Sequence, residues 1–144
     1  MLPRLVTITI LLAAALYYSC RDRIVKQRIP GLWKVEKIEL HNKNTSKVID
    51  TSLQYWQFNA NSAIEIFNRQ CVQNVLHIKM SKTHFASYND LGEVQDEYLI
   101  KKYDNRRLEL SSPKRLLDQD CYIYYYLDKV DPAEADTLRE QIGM

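Results

Sequence analysis

Glycine is scarce in this chain, with three residues among 144. No glycine-rich loop exists to wrap a phosphate, so nucleotide chemistry of that kind has no seat. The four prolines are scattered and no stretch is low in complexity, so neither a linker nor a repeat divides the chain. Histidine is equally thin: His41, His77 and His84 show no metal-ligand spacing. His77 and His84 approach each other only if residues 72–80 and 83–88 form a hairpin, and no third ligand accompanies them. Asp96-Glu97 and the alternate acids Asp118 and Asp120 flank turns and read as solvated faces, not as an acid–base pair. Ser111-Ser112 has no histidine or acid placed beside it by a motif. These absences predict a protein that is not an enzyme and holds neither cofactor nor metal.

An excess of charge of one sign is missing too. Residues 1–30 carry five basic and one acidic side chain, while residues 31–144 carry fifteen and seventeen. A nearly neutral body offers no basic stripe to phosphates, which argues against nucleic acid as a partner.

What is present begins at the N-terminus. Arg4 precedes an apolar run from Leu5 to Leu16, followed by Tyr17-Tyr18-Ser19-Cys20. A basic start, an apolar region of about 12 residues and a small residue before the cut make a secretory signal over residues 1–19. An uncleaved anchor needs about 20 apolar residues, and Leu2 to Ser19 falls short of it. Leu16, Ser19 and Cys20 resemble the box of bacterial lipoprotein signals, although Tyr17 and Tyr18 are bulkier than that box prefers. The resemblance implies lipid on Cys20 and a membrane as the first partner. Residues 20–30 then form a tether whose Arg21, Arg23, Lys26 and Arg28 have a natural place against anionic headgroups.

If Cys20 takes lipid, Cys71 and Cys121 remain as an even pair in an oxidising compartment. A bridge between them closes a loop of about 50 residues, a constraint of roughly 4 kcal/mol in the chain-entropy model. Two separate buried thiols are the other reading.

From Gly31 onward the pattern has period two, interrupted by turn chemistry. Strands are predicted over residues 31–40, 53–58, 63–67, 72–80, 83–88, 93–103, 107–111 and 121–130. His41 to Asp50 and Ser112 to Asp120, the latter holding Pro113, read as loops, and Asn59 to Ser62 and Asn89 to Gly92 as turns. Trp56 and Phe58 share one face and Tyr55 takes the other; Val94, Tyr98 and Ile100 also share a face. The last strand is apolar on both faces, which calls for a helix or a partner outside it. Asp131-Pro132-Ala133-Glu134 supplies an N-cap, a first-turn proline and a carboxylate. A helix over 132–142 follows, with Ala135, Leu138 and Ile142 as its stripe and Gly143 at its end. Evenly spaced short strands make an all-β, antiparallel barrel or sandwich occupying residues 31–144 as one domain.

Gly31-Leu32-Trp33, Trp56-x-Phe58, Tyr98-x-Ile100 and Leu108-x-Leu110-Ser111 together resemble the lipocalin-like lipoproteins of Gram-negative bacterial envelopes. The resemblance spans roughly residues 31–130, and no Thr-Asp-Tyr segment and no arginine suited to stacking on Trp33 accompany it. It implies an antiparallel up-and-down barrel of seven or eight strands, anchored in the envelope and facing periplasm or cell surface. It also implies that Trp33 closes the barrel floor while Trp56 and Phe58 point inward. Trp33, Trp56, Phe58, Tyr98 and Tyr124 are the candidate interior, either as core or as the lining for a small apolar ligand. The alternative is a filled barrel whose tyrosine-rich face, Tyr122 to Tyr126, docks an envelope protein.

Overall fold

The computed structural model describes residues 29–50, 53–60, 63–68, 74–81 and 83–142. The leader, Cys20, the basic residues of the tether through Arg28, Cys71 and Gly143 lie outside the described residues. Nine strands and a helix follow in order: β1 (Gly31–His41), β2 (Ser46–Asp50), β3 (Gln54–Asn59), β4 (Ala63–Asn68), β5 (Asn74–Met80), β6 (His84–Tyr88), β7 (Val94–Tyr103), β8 (Arg107–Leu116), β9 (Gln119–Lys129) and α1 (Pro132–Ile142).

Every pairing is antiparallel, and β9 returns to β1, so the sheet closes on itself. β9 fills one edge of β1 from Trp33 to His41, which leaves the opposite edge to both β2 and β3. β3 pairs there with Gly31–Val35 and β2 with Ile38–His41, so the two are halves of one stave. The result is the expected up-and-down barrel of eight staves with a short C-terminal helix.

Two segments read as loops are strands. β2 lies within His41 to Asp50; it is exposed along most of its length, so it needed no apolar face to signal it. The second lies within Ser112 to Asp120. β8 runs through to Leu116 and β9 starts at Gln119, leaving Leu117-Asp118 as a two-residue turn with φ of 47° and 60°. Pro113 is tolerated because the β7–β8 ladder ends at Ser111, so this part of β8 is paired only with β9. Val94 also departs from its predicted face. The register slips between Tyr88–Val94 and Ser87–Asp96, and Val94 is left half exposed, away from Tyr98.

The main core fills the barrel. Trp33, Val35, Trp56, Phe58, Ile64, Ile78, Phe85, Tyr98, Leu108, Leu110 and Leu127 meet inside it, joined by Ile29 from the stretch read as tether. A smaller cluster lies outside the wall, where α1 packs Ala135 and Leu138 onto Leu32, Tyr55 and Phe67. The helix thus covers β1, β3 and β4, not the outer tyrosines of β9.

Candidate functional site

The strand directions divide the barrel into two ends. Gly31, the β3–β4 and β5–β6 turns, the 104–106 turn and Lys129 lie at one end; the 42–45, 89–93 and 117–118 turns lie at the other. Trp33 closes the first. Its indole Nε1 donates to the Ile29 carbonyl at 2.7 Å, and the ring is wholly buried. In place of the missing arginine, the Lys129 ammonium stands 5.3 Å from the centre of the Trp33 ring.

Trp56, Phe58 and Tyr98 point inward as expected and fill the middle of the barrel with rings. Phe85 stacks on Tyr98 at 4.7 Å and meets Phe58 edge-on at 5.9 Å. Trp56 contacts Tyr98 at 5.9 Å and Tyr125 at 5.2 Å. Tyr124 is a correction. On β9 the inward residues are Cys121, Ile123, Tyr125 and Leu127, opposite Lys114, Ser112, Leu110 and Leu108, so Tyr124 falls on the outer face. Tyr125 takes the interior place assigned to it. Burial pushes the Tyr125 phenol up to about 12 and the Tyr98 phenol higher still, so both remain neutral hydroxyls at ordinary pH.

The floor end holds an open pocket of about 380 Å3 lined by Ile29, Pro30, Phe58, Ala60, Ile78 and Met80, with Asn59 and Lys79 as polar neighbours. Of the predicted interior aromatics only Phe58 reaches it; Trp56 and Tyr98 pack against each other and Trp33 against Tyr103.

The far end carries charge on its interior side. Asp96 and Lys114 lie on the interior side and form an ion pair, each about a third exposed. Ser87 backs Asp96, its hydroxyl accepting from the Asp96 N–H at 3.1 Å. The sequence pattern places Asp96 with Glu97 on a solvated face, yet only Glu97 is exposed. The missed signal is parity: Asp96 shares its face with Tyr98. Ser111 and Ser112 are both fully buried, and among the described residues neither hydroxyl meets a partner. Cys121 is a buried free thiol donating to the Lys114 carbonyl at 3.4 Å. Cys71, the other half of the expected bridge, lies outside the described residues.

On the outer face, Glu39 gathers three donors. Lys37 Nζ, His41 Nε2 and Tyr126 Oη lie 2.6, 2.9 and 3.0 Å from its carboxylate oxygens. The Lys37 ammonium, with His41 and Tyr126 behind it, holds the Glu39 carboxyl down at about 2. Tyr124 lies between, 4.4 Å from the His41 ring. Tyr122 is half exposed beside them.

His77 and His84 do share a hairpin, but the register pairs His77 with Tyr88 and Met80 with Phe85, which sets them apart. Among the described residues no three His, Cys, Asp or Glu gather as for a metal ion, and no helix is long and apolar enough to cross a membrane. No protein-family model and no curated protein matches the chain.

Proposed function

We propose that this protein is a lipid-anchored lipoprotein of the bacterial envelope, similar to the lipocalin-like ones, whose barrel binds a small apolar ligand. The observation that carries the reading is the open pocket of about 380 Å3 at the floor end, where Ile29, Phe58, Ile78 and Met80 give an apolar wall beside Asn59 and Lys79, a size suited to a small organic molecule. Ile29 and Pro30 line it, and residues 21–28 separate them from Cys20. That stretch reaches roughly 30 Å at most, so the pocket stays close to any membrane that holds the Cys20 lipid.

Native mass spectrometry of protein purified from its own membrane tests both parts. The reading expects an N-terminal Cys20 carrying acyl chains, and a small apolar molecule that Ala60→Phe displaces by filling the pocket wall. A mature mass beginning at Met1 removes the anchor; an empty wild-type barrel removes the ligand.

One observation favours a second reading, an accessory lipoprotein that docks a larger envelope complex. α1 packs over Leu32, Tyr55 and Phe67, so Tyr122, Tyr124 and Tyr126 keep their outer face clear of it. Co-purification of an envelope protein, lost in Tyr122→Ser/Tyr124→Ser, supports that role.

A further inference from the structure

Four apolar side chains stand exposed along one arc of the far rim. Leu91 is 83% exposed in the 89–93 turn and Leu117 99% in the 117–118 turn, while Val94 and Leu116 beside them are half exposed. The two tips are neighbours. Continuing the Leu99–Ser111 pairing along β7 and β8 sets Asp96 by Lys114, which do form an ion pair, and then Val94 by Leu116. Together the four expose roughly 350 Å2 of apolar surface, within the range where a patch on a monomer is often functional.

Both tips are built to present these residues. Asn89 Oδ1 accepts the backbone N–H of Leu91 at 3.0 Å and of Glu93 at 2.8 Å, which fixes the first turn. Leu117 holds a φ of 47°, a left-handed backbone that strains a leucine, although its side chain touches almost nothing of its own barrel. Strain of this kind persists where function uses it.

Size and charge together define what covers the patch. A standard protein interface takes about 800 Å2 from each partner, a little over half of it apolar. The four residues supply most of that share. The exposed charges around them are of both signs, Lys43 and Arg115 standing among Asp90, Glu93, Asp118 and Asp120. Arg115 lies 3.6 Å from Asp118, yet 72% of its side chain stays open. A rim richer in acids repels anionic headgroups, and the chain before Ile29 joins the barrel at the opposite end. Both observations set a bilayer aside. A two-fold pairing brings the basic groups of one copy toward the acids of the other, so a rim of mixed sign suits its own twin.

We propose that the far rim is the interface of a reversible homodimer, in which Leu91, Val94, Leu116 and Leu117 of one copy pack on the same four residues of a second. The limited area makes the pair a weak one. It requires neither the floor pocket nor the outer tyrosines.

Cross-linking of the full chain in its own membrane tests this. Gln119→Cys puts an exposed thiol beside the Leu117 tip, and a short bismaleimide is expected to join two such chains into a product of twice the mass. Adding Leu117→Asn, which suits the turn and leaves the barrel folded, is expected to lower that yield about five-fold or more. Leu91→Asn should do the same from the other tip. Val75→Cys, half exposed on β5 away from the rim, measures chance collision and is expected to give no more product than the parent chain. Absence of the doubled mass overturns the proposal, as does a yield that neither asparagine variant lowers or that Val75→Cys matches. Capture of a different protein at Gln119→Cys, in place of a second copy, assigns the rim to that partner and likewise overturns it.

Discussion

Lys129 holds its ammonium 5.3 Å from the centre of the Trp33 ring, joining the last strand of the barrel to the first at the closed end. The two residues are also register partners across the β1–β9 seam. Burial of the amine depresses its pKa from the ordinary lysine value, so the ring face offsets part of what water no longer supplies. Replacing Lys129 by Met keeps the stem and removes the charge. The expected loss is about 0.5–1 kcal/mol, read as a lower urea midpoint. Lys129→Ala also uncovers Trp33 and should lose more, about 1–2 kcal/mol in all. A methionine variant as stable as the parent would show that packing alone matters here.

Gly31 stands at the same corner, with φ of 134°. A Cβ there would come within 3.2 Å of the Lys129 Cε, on a backbone that side chains rarely adopt. Gly31→Ala is therefore predicted to destabilise the barrel by about 1–3 kcal/mol. In the Lys129→Ala background the steric share should vanish and the backbone share remain. Thermal unfolding of the four proteins in that cycle separates the two.

Which parts of this molecule the sequence reveals depends on whether a segment buries one face. Trp56 and Phe58 flank Gln57, and Trp33 and Tyr98 each have a charged neighbour, Lys34 and Glu97, so period two groups them by face and the resemblance turns that face inward. β9 has no such contrast: Ile123, Tyr125 and Leu127 face inward while Tyr122, Tyr124 and Tyr126 face out, so hydrophobicity leaves its inner side undetermined. Only its partner β8, with Leu108 and Leu110 inside, decides for Tyr125 over Tyr124. β2 is hidden for the opposite reason, being exposed nearly throughout. The far-end ion pair is hidden by its chemistry. Asp96 and Lys114 are far apart in sequence, and an inward ion pair looks like surface charge until the strands are registered.

The Leu117-Asp118 turn explains why a hairpin passed for a loop. Both residues take positive φ, where Asn-Gly would be the ordinary choice. Leu117 gains nothing from it, since its side chain is 99% exposed. Leu117→Asn should relieve backbone strain and remove an exposed apolar group, stabilising the barrel by about 0.5–1 kcal/mol. Leu117→Val, whose branched Cβ fits this region worst, should do the reverse. If both variants unfold at the parent's denaturant midpoint, the turn does not limit stability.

Glu39 gives the barrel a pH dependence whose sign is fixed by its surroundings. Three donors hold its carboxyl near 2, against an ordinary value of 4.5. The unfolded chain therefore takes up this proton more readily than the folded barrel. Stability from the group is complete above about pH 5 and is lost as the pH falls toward 2. Glu39→Gln keeps an oxygen for Tyr126 but gives up the charge facing Lys37, and should cost about 1 kcal/mol at neutral pH. The difference between parent and variant should shrink steadily below about pH 5, because protonation makes the parent resemble the variant. Tyr126→Phe removes one of the three donors and should shift that decline to higher pH. Urea unfolding at neutral pH and at several acidic points measures both. A gap that stays constant with pH would mean that Glu39 contributes through packing and not through its charge.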